Sequence, residues 1–358
     1  MRLFGRSQQE DAGRAGLLRG GEKNAFGIDL GTCNIKIFNN TTSRITTQKN
    51  MIAIQNRQTM IAYGDSAYEM FEKSPASIKV TSPIGGGVIA DIQNMERLLN
   101  SLIRDQQRGQ LRGADYYLTI PSDVTEVEKR SFYDLVKDSG IRARSVYAVD
   151  KAIADGLGLG IDINNSQGCL VVDVGYDTTE VSILSLGGIV LSKLLKTGGR
   201  AFDTAVITAV RREYNLIIGQ RTAENARTLL STTTGNKTSI PVFGRDIVTG
   251  LPMEKILKAE FVSAALKENF RSICDQVKVI LERTPPELSA DIYRNGIFLT
   301  GGACQQEGLA DQLARTCQLD ANVPDAPVET AARGLAQVIR KASCRNLAYT
   351  IEGLGNYG

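Results

Sequence analysis

Two short segments of this chain set a carboxylate, a glycine and hydroxyls in the same order at the end of an apolar run. Residues 26–34 read Phe-Gly-Ile-Asp-Leu-Gly-Thr-Cys-Asn, and residues 170–179 read Leu-Val-Val-Asp-Val-Gly-Tyr-Asp-Thr-Thr. An apolar strand ending in Asp-x-Gly turns tightly, aims backbone N–H groups at an anion and leaves the carboxylate facing a hydrated cation. Asp-x-Gly also occurs in ordinary hairpin turns, so one copy says little. Two copies, each opening a half of the chain, point to a nucleotide clamped between two hairpins. A third glycine turn follows the strand 296–300, where Gly301, Gly302 and Ala303 let backbone come close to a phosphate or a flat ligand.

The elements that must position these turns are legible in outline. After the first hairpin, 35–38 continues as a strand, and 51–54 and 60–63 are short strands of a small meander. Residues 95–103 carry apolar side chains at helical spacing, 116–120 reads as a strand ended by Pro121, and Ser122 or Asp123 is placed to cap a helix over 126–137. The second half repeats the order. Strands at 169–174, 181–184 and 189–194 precede Gly198-Gly199 and a helix with Phe202, Ala205, Val206, Ala209 and Val210 on one face. A later periodic helix through Phe270, Ile273, Cys274, Val277, Ile280 and Leu281 is stopped by Pro285-Pro286. Three glycine turns after three strands, with helices between, describe a doubly built α/β protein with its ligand at the strand ends.

Composition narrows the chemistry. The chain has 358 residues, a formal charge of +3 and no histidine. That length suits two domains, and so small a net charge calls for neither nucleic acid nor an anionic membrane. The absence of histidine excludes a Ser-His-Asp triad, a Cys-His pair and the usual zinc ligands. The six cysteines have no metal-ligand spacing and read as reduced thiols of a cytoplasmic protein. No apolar run approaches the roughly 20 residues that span a bilayer. Residues 1–23 read as a disordered arm, with a weak surface anchor at Leu3 and Phe4 beside Arg2 and Arg6 as the alternative.

Residues 26–34, 171–186, 284–291 (Thr-Pro-Pro-Glu-Leu-Ser-Ala-Asp) and 299–303 (Leu-Thr-Gly-Gly-Ala) together resemble MreB, the bacterial actin homologue. Shorter stretches between them, among them 87–91 (Gly-Val-Ile-Ala-Asp) and 219–224 (Gly-Gln-Arg-Thr-Ala-Glu), extend the likeness from about Ala25 to Ile339. The resemblance implies the duplicated actin-like fold of the actin, heat-shock chaperone and sugar kinase superfamily. It further implies ATP with Mg2+ in a cleft between two domains, head-to-tail filaments, and a place at the inner face of the cell membrane organising cell-wall synthesis with membrane-associated shape proteins. The expected limits are an arm at 1–23, domain I at 24–160 with a small subdomain at about 48–78, domain II at 161–330, a helix at 331–345 returning to domain I, and a flexible tail at 346–358.

Carried over residue by residue, Asp29, Gly31, Thr32, Cys33 and Asn34 match the first phosphate loop. Gly175, Tyr176, Asp177 and Thr178 match the second, Gly301, Gly302 and Ala303 the third, and Glu224 and Arg227 the nucleoside side. Asp29 and Asp173 would hold Mg2+ through water, and Asp150 would position the attacking water. The pattern departs in places. The family's Asp-x-Gly-Gly-Gly-Thr-Thr is here Asp173-Val-Gly-Tyr-Asp-Thr-Thr179, and its Glu-Pro-x-Ala-Ala-Ala begins here Asp150-Lys151-Ala-Ile-Ala154. Tyr176 adds bulk, and at an effective dielectric of about 20 a like charge about 4 Å from a phosphate costs about 4 kcal/mol, which makes Asp177 a liability unless it is paired or holds the metal through water. A shorter carboxylate at Asp150 predicts slow hydrolysis. A paralogue with weak or no hydrolysis that serves another filament is the alternative. The loop 104–113 has Leu111 as its one large apolar residue, which argues against direct membrane insertion.

Overall fold

A computed structural model describes residues 24–108, 112–230 and 237–351. The N-terminal arm, its surface-anchor residues and Leu111 fall outside the described residues. One sheet runs in the order Ala143–Asp150, Ala114–Ile120, Ala25–Leu30, Asn34–Asn39, Arg44–Lys49. Its first three strands are parallel, and the last two extend it as an antiparallel meander. A second sheet runs Ala321–Asn322, Ile297–Thr300, Cys169–Val174, Thr179–Ser185, Gly188–Leu195, with the same parallel and antiparallel neighbours in the same places. The two halves are one topology built twice.

Local sequence explains the central strands. All six residues of Ala25–Leu30 and all six of Cys169–Val174 are buried, as expected where a strand is covered on both faces and its apolar run is nearly continuous. Each sheet carries a small appendage at the mouth of the cleft. Thr59–Tyr63, Ile52–Gln55 and Ile78–Thr81 form one, with the helix Gly64–Met70; Leu216–Ile217, Ser239–Asp246 and Pro252–Lys258 form the other, with the helix Gln220–Leu230. Among the described residues no helix is long and apolar enough to cross a membrane.

Two expectations are corrected. The helix Glu126–Asp138 is capped by Thr125, whose hydroxyl accepts from the Glu128 N–H while the Glu128 carboxylate accepts from the Thr125 N–H. This reciprocal box satisfies two end donors at once, which neither Ser122 nor Asp123 can do. Those two residues reach domain II instead, Ser122 donating to Glu180 and Asp123 pairing with Lys193. The chain also stays packed past residue 346. Tyr349 exchanges backbone hydrogen bonds with Ala148 at 2.8 and 2.9 Å, and Ile351 is buried in the core of domain I.

The halves meet where the helix Lys151–Gly158 crosses the helix Thr330–Arg340. A Cβ at Gly158 would sit 1.9 Å from the Thr330 carbonyl oxygen, and one at Gly334 would sit 1.8 Å from that of Ala154. Backbone therefore lies on backbone at this crossing. Around it a core of Phe38, Tyr117, Val149, Val171, Leu335 and Val338 draws side chains from both sheets. Gly334→Ala is expected to lower stability by about 3 kcal/mol or more, because a methyl group there has no space to relax into; a thermal unfolding midpoint unchanged from wild type would contradict the crossing as described.

Candidate functional site: a cleft between two hairpins

The strand ends of the two sheets face each other across a cavity of about 280 Å³, continuous with a wider cleft of about 1140 Å³ toward the appendages. Asp29, Gly31, Thr32, Cys33 and Asn34 line the inner cavity from the first hairpin. Gly175, Tyr176 and Thr178 line it from the second, Gly301, Gly302 and Ala303 from the third turn, and Glu224 and Arg227 from the appendage of domain II. The glycine of the third turn is required by geometry: Gly301 has φ +83°, and a Cβ there would fall 2.2 Å from Asp173 Oδ1. Only glycine lets the third turn press against the second.

The electrostatics of the two hairpins differ. In the first, Asp29 stands in register with Lys36 on the neighbouring strand. Lys36 Nζ donates to Asp29 Oδ2 at 2.9 Å and Thr119 Oγ1 donates to Oδ1 at 2.8 Å. Burial alone would raise this carboxyl, but Lys36 and Lys151 outweigh it and hold it below the ordinary range. In the second hairpin, Asp173 stands in register with Glu180, a like charge. The compensating cation comes from another element, because Lys151, at the start of the helix that crosses the pivot, donates to Asp173 and lies 3.6 Å from Asp155. Burial raises the Asp155 and Glu180 carboxyls above the ordinary range despite Lys151, and each has one buried oxygen without a hydrogen-bond partner.

The two carboxylates expected to hold Mg2+ through water sit in unequal company. Both oxygens of Asp29 are engaged by protein donors, and Asp173 is held by an ammonium. Among the described residues no group of three or more His, Cys, Asp or Glu side chains is placed to hold a metal. Asp29 and Asp173 both stay among the residues that line the inner cavity. Asp150 is not brought to the cavity: its carboxylate accepts the Tyr349 hydroxyl at 2.9 Å, on the side of the returning chain end.

The two substituted positions of the second loop also take definite roles. Asp177 lines the wider cleft, where it accepts from Arg200 Nε at 2.6 Å and from the Gly86 N–H of domain I at 2.7 Å. Its charge is thus neutralised and spent on closing the cleft, away from the inner cavity. The Tyr176 ring lies against Gly199, under the Arg200 guanidinium, with its hydroxyl bonded to Gln220. Other contacts hold the mouth shut. Glu72 accepts from the Gln220 and Arg221 N–H groups at 2.8 and 3.2 Å, capping from domain I a helix of domain II, and Tyr68 donates to Glu224 at 2.6 Å.

Arg227 is less available than its position suggests. It donates to Asp203 at 2.7 Å and to Gln306 at 3.0 Å, and both members of the ion pair are buried. Burial pushes the Asp203 carboxyl up to about 6 against the pull of Arg227. Lys36, Thr119, Lys151, Asp155 and Glu180 were not read from the sequence as site residues. A signal existed for Lys36, whose place opposite Asp29 follows from a two-strand register, whereas Thr119, Asp155 and Glu180 sit in apolar runs that read only as core. Because Arg227 neutralises a buried carboxylate, Arg227→Met is expected to cost about 3–5 kcal/mol of stability, read from urea unfolding. A loss of nucleotide affinity with unchanged stability would instead make it a ligand contact.

Comparison with known proteins agrees with this geometry. The family model described as MreB/Mbl protein matches residues 23–346. The cell shape-determining protein Mbl of Bacillus subtilis is 33% identical over 313 residues, covering 86% of this chain and 93% of that protein. The cell shape-determining protein MreB of Escherichia coli K12 is 33% identical over 325 residues, covering 88% and 93%. The crystal structure of MreB 5 of Spiroplasma citri bound to AMPPNP superposes with a TM-score of 0.86 at 32% identity, over 92% of this chain and 99% of that one. The duplicated sheets, the crossing helices and the three glycine turns are thus the actin-like fold, and the chain belongs to the MreB/Mbl family.

Proposed function

We propose that this chain is a cell shape-determining cytoskeletal protein that binds ATP between its two hairpins and assembles into actin-like filaments. The observation that carries the reading is the convergence of three glycine turns, from three strands far apart in sequence, on one cavity between the domains. The neighbour in Spiroplasma citri was solved with AMPPNP, and the relatives matched over nearly their whole length are named for shape determination. The filament is head-to-tail: such a contact joins two different surfaces of the subunit and does not close on itself. The place of action is the cytoplasm, at the inner face of the membrane beside cell-wall synthesis proteins, with Arg104, Arg108 and Arg112 available to anionic headgroups. Nucleic acid is not a partner.

The cleft favours holding nucleotide over cleaving it. Asp150 points to Tyr349, and a general base must come within hydrogen-bond reach of the proton it takes. Hydrolysis is therefore slow. The test is phosphate release and sedimentation of the same samples across a protein concentration series, with and without ATP. Nucleotide-dependent pelleting above a critical concentration, with slow release, is expected; pelleting indifferent to nucleotide would refute the reading. Asp150→Asn is expected to change phosphate release by less than about threefold, where removal of a working general base costs about a hundredfold.

A further inference from the structure

The two hairpins are related by the duplication of the fold, and they break that symmetry at the residue across from the carboxylate. Opposite Asp29 stands Lys36; opposite Asp173, at the matching register, stands Glu180. Like charges directly across an antiparallel pair repel, and Glu180 and Asp173 are both buried. Such a pair needs a cation close by, supplied either by a bound metal or by the chain. Here Lys151 supplies it: the ammonium touches Asp173, lies 3.6 Å from Asp155 one helical turn on, and is near enough to act on Asp29 and Glu180 as well. Lys151 and Asp155 both depart from the Glu-Pro-x-Ala-Ala-Ala pattern, in which neither position carries a charge. They enter together as an i,i+4 pair, Asp155 buried and Lys151 lining the inner cavity.

We infer that Lys151 is the built-in cation of this cleft, and that through it the chain binds a nucleoside di- or triphosphate without a divalent metal. Lys151 lines the inner cavity together with Lys36, which pairs with Asp29, and Lys49, which pairs with Glu224. An ammonium is a compact point charge suited to phosphate oxygens. Fixed beside the Asp173–Glu180 pair, it stands where two buried like charges would otherwise call for a bound cation. The metal's charge is replaced by one that cannot dissociate.

This inference rests on the nucleotide reading above, and one titration separates the two. N-methylanthraniloyl-ATP is titrated into the wild-type protein in excess Mg2+ and again in EDTA, with fluorescence as the readout. Dissociation constants within about threefold of each other are expected. Binding in Mg2+ that weakens by about tenfold or more in EDTA overturns the inference and leaves the nucleotide reading standing. Binding in neither condition overturns both. In Lys151→Met, affinity in EDTA is expected to fall by about tenfold or more, with Mg2+ restoring part of it. The double variant Lys151→Met, Asp155→Ala removes the buried charge that the single change leaves exposed to its neighbours, and its circular dichroism and unfolding midpoint verify the fold. Wild-type affinity in EDTA for either folded variant would equally overturn the assignment.

Discussion

Everything in this molecule hangs on the contact of two helix backbones at the centre, where Gly158 meets the Thr330 carbonyl and Gly334 meets that of Ala154. Interiors pack at crystal-like density, and a contact with no side chain between has no slack to redistribute. It fixes the distance between the two sheets. The hairpin turns at the sheet ends, the third turn at Gly301 and the first residues of the helix Lys151–Gly158 then converge on one cavity. Lys151 begins the very helix that makes the crossing, so the cation of the site and the pivot of the fold are rigidly linked.

A second set of contacts works at the far end of the cleft and is polar. Glu72 on the helix Gln220–Leu230, Tyr68 on Glu224, the Gly86 N–H on Asp177 and Ser122 on Glu180 each join domain I to domain II. Hydrogen bonds of this kind contribute about 0.5–1.5 kcal/mol net, somewhat more where a charge is involved. They are far weaker singly than the apolar core around the pivot. The cleft is thus built with a stiff base and a mouth closed by exchangeable contacts, the pattern expected of a protein that must admit and release a ligand between its halves.

Charge is handled differently at each level of the cleft. In the wider cleft Asp177, which from sequence alone threatens a phosphate, is absorbed by Arg200 and a backbone N–H. In the middle Arg227 is consumed by Asp203 and Gln306. At the inner end the unequal hairpins require Lys151. The substitutions that look like decay when each is compared with the family pattern are mutually compensating here: the ring fills space beside Gly199, the added acid meets an arginine, and the added lysine meets two carboxylates.

The sequence by itself determined the duplication, the strands that carry the glycine turns, and the family, because apolar runs ending in Asp-x-Gly and long colinear motifs are local properties of the chain. It placed nearly every residue of the three turns at the cavity. What it could not determine was where charged side chains go once there, since that depends on partners dozens to hundreds of residues away. Asp150 turns to Tyr349 because the chain end folds back onto Ala148, a non-local pairing that no window of sequence reveals. Asp29 and Asp173 look equivalent in one dimension, and only the strand registers, which give one a lysine and the other a glutamate, together with the helix that brings Lys151 to the second, set their charge environments apart.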